Sequence, residues 1–121
     1  MSDVSYKCAL VIDDESMVRN LIKLTLIEVG FDVFDVECAE DAIKVWLDHS
    51  AEICLIITDV SLPRMSGPEF IEEIHPDPSR VKVIFVTGGE EINIKRFPNA
   101  ASMLKPFGLN ELKSHVSAFA H

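Results

Sequence analysis

Five side chains of this sequence could act together on a phosphoryl group. They are two adjacent aspartates, a third aspartate, a threonine and a lysine: Asp13, Asp14, Asp59, Thr87 and Lys105. Three carboxylates close together repel one another and raise each other's proton affinity unless a cation lies between them. Mg²⁺ prefers hard oxygen ligands and often shares its coordination shell with phosphate oxygens. The three aspartates are therefore a candidate Mg²⁺ site.

The third aspartate is also a candidate nucleophile. A carboxylate oxygen can attack phosphorus and form an acyl phosphate, as Asp59 would do. Lys105 would place a positive charge beside the transferred group, and Thr87 would donate a hydrogen bond from its hydroxyl. Phosphoryl transfer depends mainly on positioning and charge neutralisation, and these residues would supply both.

Each of these residues also has an ordinary structural explanation. A lone aspartate after a strand is more often a turn former or a helix cap than a nucleophile. Asp13, Asp14 and Glu15 precede a predicted helix, so they could simply complement its dipole. Thr87 could belong to a turn, and Lys105 could be a solvated surface residue. Each explanation is reasonable for a single residue. Together they do not explain why every one of the residues follows a predicted strand.

Extended and helical patterns alternate along the chain. The predicted strands are Tyr6–Ile12, Phe31–Val36, Ile53–Thr58, Val81–Val86 and Ala101–Leu104, and the predicted helices are Ser16–Val29, Glu40–Asp48, Pro68–Ile74 and Leu109–Ala120. Residues 90–99 allow at most a short helix, because Gly88, Gly89 and Pro98 disfavour a regular one. This alternation predicts an α/β fold with a parallel sheet, in which ligands bind beyond the carboxyl ends of the strands.

Length and composition limit the possible classes. The 121 residues fit one domain, 1–121, and 48% apolar residues suffice for a core. No apolar run approaches the ~20 residues that cross a bilayer, and the N-terminus lacks a basic leader. A net charge of −9 disfavours nucleic acid and anionic membranes as partners. Cys8, Cys38 and Cys54 lie in apolar contexts and suit small core positions in a reducing, cytoplasmic compartment.

Four motifs in order carry a resemblance to a known family. They are VIDDE at 11–15, ITDVSLPRMSG at 57–67, FVTGG at 85–89 and KPF at 105–107. The sequence resembles the response-regulator receiver domains of two-component signalling, and the likeness spans almost the whole chain. The second motif is the most specific, because the family pattern D-x-x-[ML]-P-x-[ML]-x-G is matched by Asp59, Leu62, Pro63, Met65 and Gly67.

The resemblance implies a flavodoxin-like, three-layer fold with a five-stranded parallel sheet of order 2-1-3-4-5, like that of chemotaxis receivers. It implies that Asp59 accepts a phosphoryl group from a phosphohistidine of a sensor histidine kinase or a histidine phosphotransfer protein. It also implies that the Lys105–Pro106 peptide bond is cis, which X–Pro bonds tolerate.

The resemblance assigns the remaining site residues as well. Mg²⁺, or Mn²⁺ in its place, would be held by the three aspartates and by the backbone carbonyl of Ser61. Thr87 and Lys105 would contact the phosphoryl oxygens. The protein would then catalyse only its own phosphorylation and dephosphorylation and would not be an enzyme in the metabolic sense.

Two departures from the family pattern concern the readout of phosphorylation. Family members usually carry Tyr or Phe three residues before the lysine, whereas this sequence has Ser102. Only 18 positions separate Thr87 from Lys105, a few fewer than usual, so we expect the fourth helix to be short, irregular or missing. Both features resemble a receiver subgroup with a weak fourth helix, and they argue against output through the usual surface of that helix and the fifth strand.

Two stretches could contact partners. On the first helix, Arg19, Asn20 and Lys23 form the predicted polar side, and the predicted core side is Val18, Leu21, Ile22 and Val29. Leu24 and Ile27 fall outside both and are either a docking patch for a kinase helix bundle or ordinary exposed residues. Ile92 and Ile94 could pack in the core or bind a partner, whereas Phe97 is predicted to be buried.

The preferred interpretation is a phosphorylatable receiver without an effector domain that signals by binding partners or by passing its phosphoryl group on. A receiver module from a longer hybrid histidine kinase, or a binding module independent of phosphorylation, is the alternative. A phosphatase of the haloacid-dehalogenase type fits less well, because such enzymes place D-x-D after the first strand, whereas Asp13 and Asp14 are adjacent here.

Overall fold

The computed structural model of the protein describes residues 7–117. Its strands are β1 (Cys8–Ile12), β2 (Asp32–Val36), β3 (Ile53–Asp59), β4 (Lys82–Thr87) and β5 (Ala100–Leu104). Its α-helices are α1 (Ser16–Glu28), α2 (Ala39–His49), α3 (Gly67–Ile74) and α4 (Leu109–Ser117). The predicted elements are confirmed to within one residue at most ends. Tyr6 and residues 118–120, the predicted ends of the first strand and the last helix, lie outside the described residues.

All five strands are parallel and form one sheet of order β2-β1-β3-β4-β5. The flavodoxin-like fold predicted from the sequence is therefore confirmed. The central strands are apolar on both sides because helices cover both faces of the sheet. Leu10, Ile56 and Phe85 pack on the side of α2 and α3, and Val11 and Ile57 pack on the side of α1 and α4.

The connection between β4 and β5, residues 88–99, contains a 3₁₀ turn at Ile94–Arg96 in place of an α-helix. The predicted loss of a regular fourth helix is confirmed. Phe97 is buried and makes an edge-to-face contact with Phe85, with ring centroids 5.0 Å apart. Ile92 and Ile94 are half-buried against the same core, so this connection is anchored mainly through its second half.

One assignment on α1 was wrong. Leu21, which we placed on the core side, is exposed (43%). The helix packs on the sheet through Ile22, Thr25 and Leu26, and this places Leu21 at the rim of its buried stripe. Leu24 and Ile27 are exposed, as their positions on the helix predicted.

None of the helices within residues 7–117 is long and apolar enough to span a membrane. The cysteines lie in or beside the core: Cys8 and Cys38 are buried and Cys54 is half-buried, all as free thiols. Burial raises the pKa of the Cys8 and Cys54 thiols, which makes both of them less reactive.

Candidate functional site

The five side chains singled out in the sequence meet at one edge of the sheet. Asp13 directly follows β1, Asp59 ends β3, Thr87 ends β4 and Lys105 directly follows β5. Because the strands are parallel, their carboxyl ends lie at the same edge. The Lys105 Nζ atom lies 2.9 Å from Asp59 Oδ2 and 3.4 Å from Asp13 Oδ2, so residues far apart in sequence form one cluster.

Three carboxylates surround a possible cation position. One oxygen from each of Asp13, Asp14 and Asp59 lies within 4.8 Å of the others. Asp13 and Asp59 are buried, whereas Asp14 is exposed and leaves the position open to solvent.

The two oxygens of Asp13 are in different situations. Its Oδ1 accepts a hydrogen bond from the Glu15 amide at 2.8 Å, but its Oδ2 is buried and accepts none from the described residues. Burial raises the pKa of Asp13, and the charge of Asp59 raises it further, against the lowering effects of the Glu15 amide and Lys105. A buried carboxylate oxygen without a hydrogen bond is costly, and a bound cation would remove that cost. The residues present therefore fit a divalent metal ion.

Lys105 neutralises part of this charge. Besides Asp59 and Asp13, its ammonium contacts Glu15 Oε1 at 2.8 Å. Burial alone lowers the pKa of Lys105, but its hydrogen bonds to Glu15 and Asp59 and the charge of Asp13 outweigh burial and raise the pKa above its ordinary value. The lysine is therefore a fixed cation beside Asp59. The Lys105–Pro106 peptide bond is cis, as the family resemblance implied.

The loop after β3 holds Asp59 in place. The Ser61 amide donates to Asp59 Oδ1 at 3.3 Å, and the Val60 amide donates to the Val86 carbonyl of the neighbouring strand at 2.9 Å. Ser61 is thus next to the cluster, and the role of its carbonyl as a metal ligand stays a prediction.

Gly67 closes this loop against the strand. Its amide donates to the Val60 carbonyl at 3.0 Å, and a Cβ at this position would lie 2.2 Å from the Asp59 carbonyl oxygen. No residue with a side chain fits here without displacing the backbone of Asp59. This close approach is a physical reason for a glycine at the end of the motif. Immediately before it, Ser66 caps α3 in a reciprocal pair with Glu69.

Thr87 lies at the predicted edge, and its hydroxyl is engaged by Glu90. It lies 2.9 Å from Glu90 Oε1 and 3.0 Å from the Glu90 carbonyl oxygen. The Gly88 amide donates to the same Oε1 atom at 2.8 Å. Sequence reasoning missed Glu90. The available signal was a carboxylate three residues after a threonine and two after a glycine, a spacing at which a side chain can accept local hydrogen bonds.

Two further residues were also missed or given another role. Glu15, for which only an interaction with the dipole of α1 was considered, is also a partner of Lys105. Arg19, placed on the polar side of α1, donates to the Asp13 carbonyl at 2.8 Å and to Asp35 Oδ2 at 3.2 Å. It thereby fixes the backbone that carries the first aspartate and brings a positive charge to the acidic edge. No sequence signal identifies this contact, because it depends on how α1 sits beside β2.

Comparison with known proteins agrees with this geometry. The family model of the response regulator receiver domain matches residues 9–117. The chain belongs to this family. The receiver is 34% identical over 116 residues to the chemotaxis protein CheY1 of Helicobacter pylori, and the match covers 88% of this chain and 91% of that protein. It is 30% identical over 114 residues to the sensor kinase CckA of Brucella abortus, and there the match covers 88% of this chain but 12% of the kinase.

Solved structures give the same result. A receiver domain protein from Clostridium thermocellum superimposes with a TM-score of 0.81 at 25% identity, covering 93% of this chain and 92% of that one. This receiver is thus a phosphoacceptor module of two-component signalling. Its family binds Mg²⁺ at an acidic pocket, and the receiver has an acidic cluster at the corresponding edge of its sheet.

Proposed function

We propose that Asp59 is the phosphoacceptor of this receiver and that it takes a phosphoryl group from a phosphohistidine. The contact that carries the proposal is the one between Lys105 Nζ and Asp59 Oδ2, at 2.9 Å. It fixes a cation beside one carboxylate of an acidic cluster, at the end of the central strand of the sheet. A structural aspartate at a turn would need no such partner.

The transfer step needs no further nucleophile or base. An Asp59 carboxylate oxygen attacks phosphorus, a P–O bond forms and the P–N bond to the imidazole breaks, with its electron pair left on the imidazole nitrogen. Lys105 moves its hydrogen bond from the free carboxylate to a phosphoryl oxygen. Water attacking the same phosphorus later would release inorganic phosphate and restore the carboxylate, and this is the self-dephosphorylation that we expect.

The metal site follows from the same cluster. Asp13, Asp14, Asp59 and the Ser61 carbonyl would hold Mg²⁺, with Mn²⁺ as a substitute, because all four offer hard oxygen ligands. When bound, the ion supplies charge neutralisation for the phosphoryl oxygens. Asp13 would contribute its buried Oδ2, which has the Lys105 ammonium at 3.4 Å and accepts no hydrogen bond among the described residues, and Asp14 would contribute an exposed oxygen.

The donor would be a sensor histidine kinase or a histidine phosphotransfer protein in the cytoplasm. Exposed apolar residues of α1, namely Leu21, Leu24 and Ile27, would suit contact with a helix of such a partner. The net charge of −9 makes nucleic acid an unfavourable partner. The signal would leave through a bound protein or through onward transfer of the phosphoryl group.

Labelling by a small phosphodonor tests the proposal. We expect the protein, incubated with Mg²⁺ and acetyl phosphate, to gain the mass of one phosphoryl group, and Asp59→Asn to gain none. Asp48→Asn, at an exposed position of α2, is the matched control and should be labelled like the wild type.

Three results would contradict the proposal. A folded wild type that stays unlabelled would favour a binding module independent of phosphorylation. Labelling that persists in Asp59→Asn would move the acceptor to another residue. Fast turnover of many donor molecules per protein would indicate a phosphatase.

A further inference from the structure

The donors at the end of β4 are already occupied by an anion. The Thr87 hydroxyl and the Gly88 amide both lie within hydrogen-bond distance of one atom, Glu90 Oε1, at 2.9 and 2.8 Å. The Gly89 amide donates to the Thr87 hydroxyl oxygen at 3.0 Å, which fixes the hydroxyl in its turn. A phosphoryl oxygen placed at these two donors would accept the same hydrogen bonds, from a hydroxyl and an amide, that this carboxylate oxygen accepts.

Glu90 is charged and stands next to the site. Hydrogen bonds from its own amide, from Gly88 and from Thr87 lower the pKa of its carboxyl, and the Ser61 side chain lowers it further. Ser61 also donates its amide to Asp59. The chain segment that holds Asp59 therefore borders the Glu90 carboxylate, which places both anions at the same edge of the sheet.

We propose that Glu90 is an internal stand-in for the phosphoryl group: its carboxylate occupies the Thr87 and Gly88 donors until Asp59 is phosphorylated, and its displacement by the phosphoryl oxygens moves residues 89–93. The inference deepens the proposed function and rests on Asp59 as the acceptor. Displacement follows because a hydroxyl and an amide each have a single proton to donate. In addition, two anions at adjacent positions repel each other.

The surrounding chain is built to let this segment move. Gly89 has a φ of 122°, and residues 88–91 are exposed and outside regular structure. Ile92 is half-buried and Phe97 is buried, so the segment is held at its far end by apolar contacts and at its near end by the Glu90 carboxylate. Release of the carboxylate frees only the near end.

This displacement also supplies a readout in place of an aromatic one. Ser102 on β5 is exposed and carries no ring that could rotate. The movement of residues 89–93 would change the surface beside the phosphorylated aspartate directly, and a partner that contacts this surface would distinguish the two states.

Beryllofluoride binding followed by NMR tests the inference. The probe is beryllofluoride with Mg²⁺, added to the ¹⁵N-labelled full chain, and the variants are Glu90→Ala and Glu90→Gln. Glu91→Ala is the control, because it removes the same charge one residue away from an exposed position. In the wild type we expect beryllofluoride to shift the amides of residues 88–93.

Both Glu90 variants should bind beryllofluoride more tightly than the wild type. Glu90→Ala should bind beryllofluoride about fivefold more tightly than Glu91→Ala, the effect of about one competing hydrogen bond. Glu90→Gln should lie between Glu90→Ala and the wild type, since it keeps an acceptor and loses the charge. Should Glu90→Ala fail to fold, Glu90→Gln against Glu91→Gln gives the same comparison.

Affinity in Glu90→Ala equal to or weaker than in Glu91→Ala would overturn the inference, as would unshifted amides at 88–93 in a wild type that binds the probe. Failure of the proposed function looks different. In that case beryllofluoride would not bind the wild type, or its binding would survive in Asp59→Asn.

Discussion

The approach of Gly67 to Asp59 leads to a prediction that joins stability to function. A Cβ at residue 67 would lie 2.2 Å from the Asp59 carbonyl oxygen and 3.1 Å from the Thr58 hydroxyl oxygen, whereas ordinary contact begins at 3.4 Å. The obstacle is backbone, and that carbonyl accepts a hydrogen bond from the Thr58 hydroxyl at 3.0 Å. Gly67→Ala therefore forces the start of α3 and the end of β3 apart by about 1 Å.

This displacement sets the size of the expected effect. Overpacking of a well-packed position destabilises by about 1–3 kcal/mol, and an obstacle that cannot rotate away places Gly67→Ala near the upper figure. The midpoint of urea unfolding should fall by roughly 1–2 M at a slope of about 1.5–2 kcal/mol/M. Since the strand end that moves carries Asp59, labelling by acetyl phosphate should also slow, by about 10–100-fold.

The control for this measurement is Gly108→Ala. A Cβ at Gly108 meets no atom within 4 Å, so this variant should change stability by less than about 1 kcal/mol and leave labelling unchanged. If Gly67→Ala unfolds at the same urea concentration as Gly108→Ala, the close approach is not a constraint on this motif. If Gly67→Ala is destabilised but is labelled at the wild-type rate, the link between this contact and the geometry of Asp59 is refuted.

Three further predictions address single groups. Asp13→Asn should raise the free energy of unfolding without metal, because burial opposes this charge, while Mg²⁺ binding by calorimetry is lost; a destabilised Asp13→Asn would refute it. Ser66→Ala removes the N-cap that pairs with Glu69 and should lower the urea unfolding energy by about 1 kcal/mol with the labelling rate unchanged; a slowed rate would contradict this separation. The pKa of Glu90 is depressed, so its contact with Gly88 is present above the ordinary value of 4.5 and is lost as pH falls through the lower folded value. The chemical shift of the Gly88 amide should titrate with a midpoint below 4.5 in the wild type and should not titrate in Glu90→Gln. A midpoint above 4.5 would refute the contact.

The sheet and the acidic edge could be predicted from the sequence for simple reasons. Apolar runs that end on polar residues mark buried parallel strands, and parallel strands bring their carboxyl ends together. Asp13, Asp59, Thr87 and Lys105 therefore had to meet once the strands were located. The loss of the fourth helix was also predictable, from two glycines and a proline in a short connection.

The contacts that sequence reasoning missed depend on side-chain direction. The hydrogen bond between the Thr87 hydroxyl and Glu90 was not foreseen, because it depends on how the Glu90 side chain turns back in the loop after β4. Leu21 was misplaced because a helical wheel gives the direction of a side chain but not the width of the buried stripe. The contact of Arg19 with the Asp13 carbonyl required the position of α1 relative to β1 and β2.

The shortened connection after β4 divides the site into parts of unequal rigidity. Asp59 ends the central strand and Asp13 directly follows the neighbouring strand β1, whereas the residues after Thr87 enter a segment that is exposed at 88–91 and contains a 3₁₀ turn at Ile94–Arg96. Amides of such a segment exchange with solvent through small local openings, long before the sheet itself opens. A phosphoryl group that bridges the two parts would slow this exchange by restricting the segment. Part of the response would then be a loss of conformational entropy on phosphorylation. A partner would bind a segment that is already ordered and would not have to offset the cost of ordering it.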